Sequence, residues 1–100
     1  MTSCFLTKRA REDIKHIGRY TFQKWGARQS NKYLKALEHR FRLLSDRPRS
    51  GSPRDDIGVG FRSALAGSHI IIYREVDGAI EIARVLHRRM DVPSRMKEGS

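Results

Sequence analysis

HIIIYREVDGAIEIARVLHRRMD, residues 69–91, is the stretch whose reading decides the fold. Two apolar runs rich in β-branched residues, 70–73 and 80–86, flank Asp77-Gly78, a dipeptide that accepts the positive φ angles of a tight type I′ turn. The stretch reads as a β-hairpin. With Asp77 and Gly78 as its loop, Val76 faces Ala79, Arg74 faces Glu81, Tyr73 faces Ile82, Ile72 faces Ala83 and Ile71 faces Arg84. A further two-residue turn at Gly67-Ser68 adds an upstream strand, setting Leu65 opposite Ile70, Ala64 opposite Ile71 and Arg62 opposite Tyr73.

Side chains alternate faces along a strand, so this register sorts the three strands into two surfaces. One collects Phe61, Ser63, Leu65, Ile70, Ile72, Ala83 and Val85, and is expected to sit on a core. The other collects Ala64, Ile71, Ile80, Ile82 and Leu86, interrupted by Arg62, His69, Tyr73 and Arg84. Polar groups and a tyrosine amid an apolar surface mark it as the side that meets a partner.

Upstream, residues 3–6 form a short apolar run that reads as a first strand, and Thr7 can cap a helix by accepting from an orphan N–H of its first turn. Ala10, Ile14, Ile17, Thr21 and Trp25 recur at spacings of three and four, the stripe of an amphipathic helix, and Gly26 supplies its C-cap. Ser30, Leu34, Leu37, Phe41 and Leu44 repeat the stripe, with Pro48 just beyond. The two stripes predict a helical hairpin that needs an apolar partner, which the sheet provides. Trp25 would contribute most to that contact, burying on the order of 200 Å². Tyr20, Lys24, Tyr33 and Lys35 fall off the stripes and read as surface.

RPRSGSPRDDIGVG, residues 47–60, is a loop by its prolines and glycines. Its Arg47, Arg49 and Arg54 could contact phosphate, or could be a solvated connector neutralised by Asp55 and Asp56. Residues 92–100, with Pro93 and little apolar content, read as a mobile tail after a single domain spanning 1–91. The fold class is therefore α+β, ordered β-α-α-β-β-β, with a helical hairpin on a small antiparallel sheet.

Composition narrows the function classes. A chain of 100 residues with 38% hydrophobic content supports one modest core. The lone Cys4 cannot form an internal disulfide and reads as a buried thiol, and no segment has the length of a signal peptide or membrane span, so a cytoplasmic protein is expected. Four scattered histidines with one cysteine lack metal-site spacing, and there is no glycine-rich phosphate loop, so neither metal nor cofactor is implied. A formal charge of +10 fits a polyanionic partner, whether nucleic acid or acidic polypeptide, as well as simple solubility.

The order of elements, with Trp25-Gly26 between the helices, Gly67-Ser68-His69, Ile72-Tyr73, Arg84-Val85-Leu86-His87 and the closing Met90-Asp91, resembles the ParE branch of the ParE/RelE toxin superfamily. The resemblance runs from about Leu6 to Asp91. It implies a type II toxin neutralised by a cognate antitoxin with a disordered or acidic segment, acting on DNA gyrase without direct need of nucleic acid or membrane and without catalysis of its own. No catalytic residue is carried over. Arg62, His69, Tyr73, Arg84 and His87 are the candidate antitoxin- or target-binding residues.

The rival is a RelE-like, ribosome-dependent mRNA endonuclease. Cleavage by 2′-hydroxyl attack needs a base, a proton donor and cations to steady the phosphorane. Arg62 and Arg84 would grip phosphate from one face, and His69 or His87 could exchange protons near neutral pH. Each has a structural alternative: Arg84 paired with Glu75 or an antitoxin carboxylate, Arg62 packed on Tyr73, and His87 ending the last strand through backbone bonds.

Overall fold

The structure, a computed structural model, describes residues 3–97. In chain order the elements are β1 (Ser3–Leu6), α1 (Lys8–Trp25), α2 (Ala27–Asp46), β2 (Ser52–Pro53), β3 (Arg62–Ala66), β4 (His69–Val76), β5 (Ala79–His87) and α3 (Val92–Lys97). Thr7 caps α1 as expected, its Oγ1 accepting from Ala10 N at 3.1 Å. Gly26 ends α1 at φ 87°, a conformation that favours glycine, and lets the chain double back into α2.

The sheet has five strands in the order β1-β5-β4-β3-β2. It is mixed, because β1 pairs parallel to β5 while the other pairings are antiparallel. β2 is an edge strand of two residues that includes Pro53. The β3–β4 register is the one the Gly67-Ser68 turn predicts: Leu65 pairs with Ile70, Ala64 with Ile71 and Arg62 with Tyr73.

The β4–β5 hairpin departs from its predicted register halfway along. From the Asp77-Gly78 turn, Val76 pairs with Ala79, Arg74 with Glu81 and Tyr73 with Ile82. The next pair is Ile72 with Arg84, not Ile72 with Ala83, and Ile71 meets Val85 rather than Arg84. Ala83 is the extra residue of a β-bulge, and everything beyond it changes face by one step.

Helix packing reverses the expected faces. Ile17, Leu37, Phe41 and Leu44 pack against Ala64, Ile71, Tyr73, Ile80, Ile82 and Val85, so the surface expected to await a partner is largely the one the helices cover. The surface expected beneath the helices carries a second cluster, Ile72, Ala83, Leu86 and Val92, flanked by Ile57, Phe61, Ile70 and Met96. That cluster is closed by α3, formed by residues expected to be a mobile tail. Val92 is buried there because its side chain has an apolar strand face to meet; residues 98–100 lie outside the described residues. Cys4 is half-buried, and desolvation pushes its thiol pKa above the ordinary value.

Between α1 and α2 the core is partly polar. The hydroxyls of Thr21 and Ser30 lie 2.7 Å apart, and Thr21 also donates to Ile17 O at 2.7 Å, so both buried side chains are satisfied. Trp25 is 44% exposed instead of buried, since the helical stripe turns out of the core where the chain reaches Gly26. No helix among the described residues is long and apolar enough to cross a membrane.

Candidate functional site

The site forms where β1 stops. After Leu6 pairs with Ile82, Thr7 takes the next two carbonyls of β5, its N–H donating to Ile82 O and its hydroxyl to Ala83 O. Beyond that point α1 replaces β1 along the rim of β5. Asp13 Oδ2 accepts the Val85 N–H at 3.0 Å, standing in for a strand partner. The same carboxylate holds Arg84 bidentately, Nε to Oδ2 at 2.8 Å and Nη2 to Oδ1 at 3.0 Å, while Nη1 donates to Arg95 O of α3 at 2.9 Å. Side-chain exposure of 11% for Arg84 and 14% for Asp13 makes this a largely desolvated pair joining both layers to the sheet.

A groove of about 600 Å³ opens between α1 and this half of β5. Its inner wall is a row of rings. Trp25 and Tyr33 have centroids 5.9 Å apart, Tyr33 and His69 5.6 Å, and His69 and His87 5.6 Å in an edge-to-face arrangement. The Tyr33 hydroxyl accepts the Ser68 N–H at 3.0 Å, shares a hydrogen bond of 2.6 Å with His69 Nδ1 and lies 3.3 Å from Ala66 O, to which it can donate. His87 Nδ1 accepts from Arg89 N at 3.2 Å, which terminates the strand. Burial, and then the neighbouring His87, hold His69 below its ordinary pKa of 6.5, with Asp13 pulling the other way. On the outer lip, Tyr20, Trp25 and Met90 are exposed. Lys24 Nζ lies 5.5 Å from the Tyr20 ring centroid and 5.8 Å from that of Trp25.

Of the five sequence candidates, His69, Arg84 and His87 come together in this groove. Arg62 and Tyr73 do not. Tyr73 is fully buried, its hydroxyl donating to Pro48 O at 2.8 Å and accepting from Gly51 N at 2.9 Å, so it braces the loop after α2. Arg62 pairs with Tyr73 on the helix side and donates to Arg49 O and Gly51 O, at 3.2 and 2.8 Å. Arg84 pairs with Ile72, on the other side. The shared face expected for the two arginines is thus absent, because the bulge at Ala83 separates them. Arg74, not Arg62, makes the cation-π contact, 5.0 Å from the Phe61 ring.

The sequence reading missed Asp13, Tyr20, Lys24 and Tyr33. A carboxylate next to Ile14 in a strongly basic helix was the available signal for Asp13, whereas nothing local marks Tyr33. Among the described residues no cluster of three or more His, Cys, Asp or Glu could hold a metal ion.

The groove is thus lined by rings, has an exposed apolar lip and has its deep guanidinium already held by a carboxylate, a composition common to polypeptide-docking surfaces. The family model described as ParE toxin of type II toxin-antitoxin system, parDE, matches residues 5–92. The chain belongs to the ParE toxin family. It is 39% identical over 88 residues to Toxin ParE1 of Mycobacterium tuberculosis, covering 87% of this chain and 90% of that protein. It is 33% identical over 91 residues to Toxin ParE1 of Caulobacter vibrioides, covering 91% and 94%. A solved chromosomal ParDE toxin-antitoxin system from P. aeruginosa aligns with a TM-score of 0.76 at 19% identity over 87% of this chain and 96% of that one, a likeness of fold. As a ParE-family member the chain is a toxin of a type II toxin-antitoxin system.

Proposed function

We propose that this ParE-family toxin acts in the cytoplasm by inhibiting DNA gyrase, without catalysis of its own, and is neutralised by an antitoxin segment lying in the α1/β5 groove. The observation that carries the docking reading is the exposed lip of Tyr20, Trp25 and Met90 above a wall of rings. Solvent-facing aromatic and methionine side chains beside a cavity are the composition of a binding hot spot. Lys24 at the lip favours a segment that carries a carboxylate next to its apolar anchor.

The absence of catalysis is supported by how the cations are engaged. Arg84 is held by Asp13 and Arg95 O and Arg62 is tied to two carbonyls on the other face, so neither of the arginines that would steady a phosphorane is turned toward the His69–His87 pair, leaving Lys24 and Arg95 as the other cations lining the groove. Two measurements test the proposal. Purified gyrase should lose supercoiling activity as toxin is added, and full supercoiling at saturating toxin with cleavage of ribosome-bound message would overturn the target and favour the endonuclease. Trp25 is the only tryptophan, so its fluorescence should shift to the blue when antitoxin binds. Tight binding with an unchanged spectrum would place the antitoxin elsewhere.

A further inference from the structure

The opposite flank of α1 has a different chemistry. Lys8, Arg11, Lys15 and Arg19 follow one another at spacings of three and four, so they form a single row along the helix, spanning about 16 Å at 1.5 Å per residue. All four are exposed, and none has an ion-pair partner among the described residues; Glu12 is the only carboxylate beside them. On α2, Arg28, Lys32 and Lys35 continue at the same spacing, all exposed and diametrically opposite the buried stripe of Leu37, Phe41 and Leu44. The outward side of the helical hairpin therefore presents a row of cations on each helix. The two rows overlap around Lys15, Arg19, Lys32 and Lys35, where Thr21 meets Ser30 and Gly18 meets Leu34, and Glu12 and Glu38 are the carboxylates within a helical turn of them.

We infer that this outward face of the α1–α2 hairpin binds the phosphate backbone of duplex DNA. A row of about 16 Å spans roughly five phosphates at 3.4 Å of axial rise per strand, and the α2 row, overlapping its Lys15–Arg19 end, lengthens the same charged track toward the helix turn. The face is poor in the large apolar side chains an acidic peptide would use as anchors. Phe22 and Leu43 are the large apolar side chains exposed there; Phe22 lies beside Arg19 in a shallow hollow of about 460 Å³, where it can lie against sugar or base edges. The groove on the other flank of α1 has the reverse character, which lets a polypeptide and a nucleic acid occupy one helix at the same time. This inference is independent of gyrase as the target, since it requires DNA alone.

The test is fluorescence anisotropy of a short labelled duplex with the full chain and no gyrase. Affinity should fall by about a thousandfold between roughly 50 and 200 mM salt, the signature of some six released counterions. Lys15→Glu with Arg19→Glu, both exposed and therefore compatible with folding, should flatten the log–log salt slope by about two and weaken binding at least tenfold. The control Arg88→Glu with Arg89→Glu, past the end of β5, should retain most of the affinity. A salt slope unchanged in the helix variant, loss confined to the control, or binding to polyglutamate with none to duplex DNA would each overturn the inference.

Discussion

The two halves of the β4–β5 hairpin obey different determinants. In the half next to Asp77-Gly78 the pairing is what the turn dictates, and Asp77 takes the positive φ of 49° that a type I′ turn demands. In the half that carries His69 and His87 the register is displaced by one residue at Ala83. Turn chemistry fixes strand pairing only as far as the ladder stays regular, and one inserted residue hands the remainder to whatever the rim of β5 can bond. Here that partner is Asp13. The turn half is architecture, while the displaced half aims Arg84, His69 and His87 at the groove.

Deleting Ala83 should break this contrast most completely. It would make β5 regular with residues 84–87 still on their present faces, because Ile82 and Arg84 already pair with the consecutive Tyr73 and Ile72. But it removes the Ala83 side chain from the second core and the carbonyl that holds the Thr7 hydroxyl, and draws the strand end along the rim away from Asp13, so the sharp thermal transition should be lost. A deletion variant that still melts sharply would show that the bulge is dispensable. Asp13→Ala comes next. Stranding a desolvated guanidinium and the Val85 N–H should cost about 3–5 kcal/mol in urea denaturation, whereas Glu81→Ala, which frees the more exposed Arg74, should cost about 0.5 kcal/mol. Equal losses would erase the distinction between the halves. Tyr73→Phe should cost about 1–3 kcal/mol by leaving the buried Gly51 N–H without an acceptor, with little change in antitoxin affinity.

The mildest probe is pH. Because burial lowers the pKa of His69 in the folded chain, the unfolded chain protonates first. Stability should be complete above about pH 6.5 and decline as the pH falls through the window just below it; His69→Gln should remove that slope. Tyr33, His87 and Asp13 are the groups facing this ring, and a slope that survives the substitution would overturn the assignment to His69.

Much of the architecture was legible from spacing. The helical stripes, the Thr7 cap and the whole β3–β4 register follow from residue type and turn position, because each depends on near neighbours. The choice of buried face did not follow. Both faces of the sheet are apolar, since helices cover one and α3 the other, and alternation alone cannot rank two covered faces. The site was legible as a set of residue types at the end of the last strand, but its geometry was not. The Asp13–Arg84 pair joins positions 71 residues apart, and Tyr33 meets His69 only because the hairpin of helices folds over that end of the sheet. Trp25 was misplaced for a related reason: a stripe predicts burial only while there is a sheet beneath it.

Pro53 carries a consequence for self-association. It occupies an outermost ribbon of only two residues and has no amide hydrogen to offer a neighbour. Two copies could join along their β1 rims, yet the pair would present only proline-blunted margins to a third. Polymerisation into a filament is thereby denied a second site of growth.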